Sequence, residues 1–497
     1  MKPHVDILRR QSRPGPRRGF VLLAVLVFVM LLSMVTVSLL FRSRAEETAA
    51  SASAGAEQAW AAALSGVEEA LRAASAAVPG NETWADDPAA FRGRLVTEDG
   101  ADRWYFTIFS PGDSSSPVEI RHGLTDEARR IDLNHIGAAD LAKIPRMTPA
   151  MAQALRQAVG TGPDDADPVD PVDPVDPLAT IPDDVVGRAD LGDADVVPAT
   201  VPTLGVLPVR TAGPLTSLDD LLGVPGFSWS LLHGEDANLN GRLDPNENDG
   251  DEQFPPDNKD NRLDHGMGQY LTVGSYERSR TRAGRPKIDL NDPSAPLPEA
   301  GLPASFTNYV AALRAAKVKL RHPAEVLEAS VRSKDEQGKE TEIASGITKE
   351  ELPLVLDLFT TDAKDRREGL VNIGTADALV LATLPGIDPA LAETIVSTRG
   401  GLGADRRATI AWLFQEGIVD AARFKVIAPQ ITTGSHQFSF HVIGYGVPSG
   451  RYRVLDATID VAGEVPRVTR LRDITRLGLP FKLVGDILEE ARSGASL

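Results

Sequence analysis

From Phe20 to Phe41 the chain is apolar at every position except Ser33, Thr36 and Ser38. As a helix rising about 1.5 Å per residue, this stretch reaches across a hydrocarbon core of roughly 30 Å. Further on the pattern turns one-sided. Trp60, Leu64, Val67, Leu71, Ala74 and Val78 follow a 4-3-4-3-4 spacing, with Glu68, Glu69 and Arg72 off the stripe, which predicts that the helix continues and packs on one face. Pro79-Gly80 is its expected stop. Strand patterns follow at 103–109 and 118–121, and a second pair lies far away at 437–445 and 451–461, joined by the turn Gly446-Val-Pro-Ser-Gly450. If both pairs share one sheet, residues 131–430 form an insertion. The expected fold class is α+β: a long N-terminal helix on a small antiparallel sheet, with a large, mostly helical inserted domain.

Within the insertion, Ile131–Pro145 followed by Thr148–Val159 reads as helix, proline hairpin, helix. Val371–Ile387 followed by Pro389–Arg399 repeats the plan, and both copies resemble helix-hairpin-helix units. Shorter echoes occur at 217–226 and 287–291. Such hairpins bind DNA through glycine N–H groups aimed at phosphate. The second copy keeps Gly386 but has Asp388 at the other glycine position, and the first has Arg146 and Thr148. These helices are therefore expected to serve packing.

The sharpest chemical pattern is Asp236-Ala-Asn238-Leu-Asn240-Gly241-Arg242-Leu243-Asp244-Pro-Asn-Glu247. It matches the twelve-residue calcium loop of the EF-hand. Asp236, Asn238, Asn240 and Asp244 would offer side-chain oxygens, Arg242 its carbonyl and Glu247 a bidentate carboxylate, with the turn at Gly241. Pro245 argues against a following helix. Asp249, Asp251, Asp257, Asp260 and Asp264 form a second, less regular set. Residues 235–264 hold ten acids against three bases, a density that favours calcium over magnesium as counter-ion.

Composition narrows the classes. With no cysteine, disulfides and thiolate metal sites are excluded. The 52 Lys and Arg against 70 Asp and Glu give a net charge of −18, unfavourable for general nucleic-acid binding. Residues 167–177 repeat Asp-Pro-Val and read as a stiff spacer in an acidic, proline-rich linker at 167–199. Lys334–Glu342 reads as an exposed loop. No H-E-x-x-H, G-x-S-x-G or phosphate-loop motif occurs, and no enzymatic activity is expected.

The leader carries Lys2, Arg9, Arg10, Arg13, Arg17 and Arg18 against Asp6. Basic flanks stay cytoplasmic, so the bulk of the chain is expected on the far side. A secretory signal is cut after its apolar core. Here the only processing point, Gly19-Phe20, precedes the core. Arg17-Arg18-Gly19-Phe20 running into this helix resembles the start of type IV prepilins and type II secretion pseudopilins. That likeness implies cutting by prepilin peptidase after Gly19 and a methylated Phe20 as mature N-terminus.

With its stem helix, split sheet, helical insertion and acidic loop, the chain resembles the K-type minor pseudopilin of type II secretion. Most pilins have a glutamate five residues into the mature chain; the K-type lacks it, and this chain has Ala24 there. The resemblance implies a subunit at the tip of the pseudopilus, anchored in the inner membrane with its bulk periplasmic. Implied partners are the I- and J-type minor pseudopilins, the major pseudopilin, the inner-membrane secretion platform, and exported substrate or the secretin. The expected parts are a leader (1–19), a membrane or filament-core helix (20–41), stem and first strands (42–130), the insertion (131–430) and closing strands (431–497). Two alternatives stay open: a pilus or competence minor pilin that grips DNA, and an uncut, membrane-anchored calcium-binding protein.

Overall fold

The computed structural model describes residues 18–100, 102–112, 120–160, 212–250, 252–298, 301–334 and 340–480. The leader up to Arg17, the Asp-Pro-Val linker and Asp251 lie outside them. A single helix, α1 (Arg18–Ser75), opens the described chain. Residues 21–54 are exposed on all sides, and this apolar portion is long enough to cross a membrane.

Further along, α1 packs on a sheet through Ala59, Ala63, Val67, Ala70 and Ala74, all buried. Trp60, Leu64 and Leu71 of the expected stripe are only partly buried, flanking this seam. The reason is proximity: a Cβ on Gly66 would stand 2.5 Å from Val442 Cγ2, so small residues fill the interface centre. The helix ends at Ser75 and leaves Val78 exposed.

The sheet joins both ends of the chain. Its five longer strands are β1 (Arg94–Glu98), β2 (Arg103–Pro111), β3 (Gln437–Val447), β4 (Tyr452–Asp460) and β5 (Arg467–Asp473). They run in the order β1-β2-β3-β4-β5, every pair antiparallel. Two short pieces, Ile120–Arg121 and Thr125–Asp126, pair with β2 and β3. Strand alternation sends Phe438, Phe440, Val442, Leu455, Ala457 and Ile459 toward α1. The opposite face is divided. Ile443, Tyr445 and Val454 form an apolar half with Phe109 and Ile474, while Gln437, Ser439, His441, Asp456, Thr458 and Asp460 make the other half polar.

Among the described residues, the insertion holds three units, each closed by two short parallel strands. Ile131–Asp132 pairs with Leu271–Thr272, Ile288–Asp289 with Phe359–Thr360, and Val371–Asn372 with Ile431–Thr432. In each, a threonine carbonyl accepts from the residue after the opening strand: Thr272 from Leu133, Thr360 from Leu290 and Thr432 from Ile373, at 2.9 to 3.0 Å. The echo at 287–291 thus opens a full unit. Asn134 and Asn291 anchor the first two, each amide donating to two carbonyls across the unit.

Three helical hairpins share one local rule: proline, a left-handed residue, a buried apolar residue, then a capping side chain. Arg146, Gly226 and Gly386 have φ of 65°, 94° and 82°. Met147, Phe227 and Ile387 are buried. Thr148, Ser228 and Asp388 cap the next helix. Asp388 also pairs with Arg423 at 2.5 Å. The expected loop at Lys334–Glu342 is too long: Lys334 and Glu340–Glu342 belong to the paired strands Ser330–Lys334 and Glu340–Ala344, whose mostly polar alternation gave no apolar face to recognise.

Asp126 ties the insertion to the sheet. Its buried Oδ2 accepts from Asn372 Nδ2 (2.9 Å), Thr375 Oγ1 (2.7 Å) and Ser435 Oγ (2.7 Å). Burial raises its pKa, and these hydrogen bonds oppose the rise.

Candidate metal centre

The acidic loops belong to the first unit and follow a short helix, Trp229–His233, capped by Ser228. Gly234 and Gly266 cross closely, and Glu235 N donates to Asp264 O at 2.8 Å, so the two loops leave one point together. The first is built on its own backbone. Asp236 accepts from Asn240 N (3.0 Å) and Gly241 N (2.9 Å). Asn238 Oδ1 accepts from Asn240 N, and Asn240 Oδ1 from Arg242 N. Glu247 closes the ring, accepting from Ala237 N at 2.9 Å and Asp244 N at 3.0 Å. The chain turns at Gly241 (φ 71°), and Pro245–Glu247 forms a 3-10 turn in place of a longer helix.

Inside the ring the Asn238 and Asn240 amides both donate to Asp244 Oδ2, at 2.7 and 2.8 Å. All the predicted side-chain ligands therefore meet in one loop. Among the described residues, no three His, Cys, Asp or Glu side chains form a group able to hold a metal. Two of the loop's oxygen donors are amides, and its buried acids are turned onto backbone N–H groups.

Electrostatics mark these acids out. Asp236, Glu247 and Glu235 are 5%, 1% and 6% exposed. Burial pushes the Asp236 carboxyl up to about 7, and the nearby Glu247 charge adds to this. Glu247 and Glu235 are raised for the same first reason, Glu235 also by Asp264 and Asp257. Buried carboxylates are costly when charged unless a cation or hydrogen bonds compensate.

The second loop repeats the first at an offset of twenty residues. Leu239 and Lys259 both have φ 56°, and Gly241 (71°) corresponds to Asn261 (62°). Asn258 Oδ1 accepts from Asp260 N, and Asp260 Oδ1 from Arg262 N, as Asn238 and Asn240 do in the first loop. Glu235 takes the part that Glu247 plays there. Its carboxylate accepts from Asn258 N (3.4 Å) and Asp264 N (3.2 Å). Sequence reading missed Glu235, because it stands before the first loop and far upstream of the one it serves.

Asp257 lies in the second loop, accepting from Asp249 N, Gly250 N and Lys259 N. Two other predicted acids are engaged elsewhere: Asp249 holds Gln253, and Asp264 pairs with Arg146 at 2.5 Å.

The processing residues Gly19 and Phe20 lie in the first turn of α1. Ala24 is exposed on that helix, beside Leu23, Val27 and Phe28. No protein-family model matches the chain, and no curated protein matches it in sequence.

Proposed function

We propose that this chain is a pilin-like minor pseudopilin of the K type, placed at the tip of a type II secretion pseudopilus, where it nucleates assembly and supports protein export. The observation that carries the reading is the sheet order. Strands from before and after the insertion lie side by side on one helix, whose first half is apolar and bare. A subunit so built can hold its apolar helix in a bilayer or filament core and raise the insertion above the sheet. Ala24 supports the tip position: a subunit with nothing ahead of it has no neighbouring N-terminal amine to neutralise. In this reading prepilin peptidase cuts after Gly19, the leader stays cytoplasmic and the bulk is periplasmic. The I- and J-type minor pseudopilins are the nearest partners.

The two acidic loops are proposed as calcium sites with a structural role. Asp236, Asn238, Asn240, Arg242, Asp244 and Glu247 serve the first, and Asp257, Asp260 and Glu235 the second. The hairpins are assigned to packing, since Met147, Phe227 and Ile387 point into the core and Asp388 occupies the turn that would face phosphate.

Mass spectrometry of the chain produced with prepilin peptidase tests the reading. The expected product starts at a methylated Phe20. A chain still starting at Met1, with control prepilins processed, overturns it.

A further inference from the structure

His135 sits where the first unit meets the strand that leads into the third. It follows the opening strand of the first unit, Ile131–Asp132, and Gly369 packs directly against it. A Cβ on Gly369, whose φ is 72°, would stand 2.5 Å from His135 Cβ, so only a glycine lets the two segments come this close. Gly369 follows the strand Arg366–Glu368, which pairs with Tyr276–Arg278 and runs between the second and third units.

Both ring nitrogens of His135 face carboxylates. Nδ1 lies 2.9 Å from Asp132 Oδ2, and Nε2 lies 3.0 Å from Glu368 Oε2. A neutral imidazole carries one N–H and can donate to only one of them, which sets a lone pair against the other. The imidazolium donates to both. The Asp132 hydrogen bond, and then the charges of Asp132 and Glu368, raise the His135 pKa, while partial burial opposes the rise.

The two acids are not equivalent. The Asp132 side chain is 1% exposed and is fixed by Asn134 N at 2.9 Å and Ser275 N at 3.1 Å. The Glu368 side chain is 50% exposed and free to turn into water. The nearest cations are occupied: Arg366, two residues along the same strand, lies over the Tyr276 ring at 4.6 Å, and Arg156 donates to the Ile136 carbonyl beside His135. When the imidazole loses a proton, the remaining N–H therefore stays with Asp132, and Glu368 is let go.

We propose that His135 is a pH-sensitive latch between the first unit and the strand leading into the third, closed on Glu368 when the imidazole is charged and open when it is neutral. The folded value lies above the ordinary 6.5, so the latch adds its full stability below pH 6.5 and loses it as pH rises through the folded value. Two neighbouring bonds do not titrate: Gly369 N to Ser275 O at 2.9 Å and Ser275 Oγ to Leu370 O at 2.8 Å. Opening thus loosens residues 366–370 without unfolding the units. The latch does not rest on the pseudopilin reading, since processing at Gly19 and titration of His135 are measured separately.

The test is an NMR titration of the full-length chain in detergent, with its eight histidines carrying ¹³C at Cε1 and His135→Gln identifying the signal. The midpoint of His135 is expected above the ordinary histidine value, and Glu368→Gln, which keeps the shape of a half-exposed side chain, should lower it. Hydrogen exchange read by mass spectrometry, corrected for the intrinsic effect of pH, provides a second measurement. Amides at 366–370 should lose protection over the interval in which His135 titrates, and in Glu368→Gln that loss should already be present at low pH. A midpoint at or below the ordinary value, a midpoint that Glu368→Gln leaves unmoved, or protection at 366–370 that stays constant across the titration overturns the proposal.

Discussion

Gly444 in β3 and Ala59 in α1 meet backbone to backbone: a Cβ at Gly444 would lie 2.1 Å from the Ala59 carbonyl oxygen and 2.4 Å from Ala63 N. No side chain can yield there, because both obstacles are main-chain atoms. Gly444→Val should lift the helix off the sheet and cost about 3 kcal/mol, the upper range for overpacking. The check is the midpoint of thermal unfolding, with Gly403→Val, at a glycine whose Cβ meets nothing within 4 Å, as control.

Asp126 gathers three side-chain donors on one buried oxygen. Asp126→Leu would leave Asn372, Thr375 and Ser435 facing an apolar group. The expected loss is about 2–4 kcal/mol, from stranded buried donors. Limited proteolysis should then find the third unit, 371–432, cut sooner than the sheet.

The metal-free first loop should make stability depend on pH. Burial lifts Asp236 from 3.8 to about 7, so between these values the folded chain holds a proton that the unfolded chain has released. Folding is therefore favoured at low pH, and in chelator stability falls as pH rises from about 4 to about 7, by on the order of a few kcal/mol. If calcium occupies the proposed site it would replace that proton, so its stabilising effect should grow over the same interval. Melting curves with chelator and with calcium, at pH 5 and pH 8, measure both slopes.

The loops also predict a crossed pattern of mutational effects. Glu247→Gln should weaken calcium binding at the first loop by about tenfold or more, through loss of a ligand charge. Glu235→Gln, next to Asp236 in sequence, should instead weaken the second. Calorimetry on each variant should lose a different class of site.

Much of this was readable in advance where a local rule acts alone. Pro389–Arg399 is a helix because Asp388 caps it and the proline at its first position needs no donor. The turn expected at 446–450 joins β3 to β4, with its first two residues, Gly446 and Val447, still in β3. What escaped notice depended on distant neighbours. β5 was missed because Val468 and Leu471 are exposed and its arginines answer Asp456 and Asp460 across the strand pair. The alanine seam of α1 hid behind the larger residues beside it, since small side chains count little in an apolar pattern yet decide how closely a helix can approach. Glu235 could be linked to the second loop only once Gly234 and Gly266 were seen to cross.

One hydrogen bond bears on how this chain can vary. Gly213 N donates to Ala158 O at 2.9 Å, so two residues far apart in sequence meet at one place in the first unit. The first unit thus holds its own two ends together, through main-chain atoms of the described residues. A shortened chain that joins Ala158 to Gly213 directly would therefore keep the closure that this hydrogen bond makes.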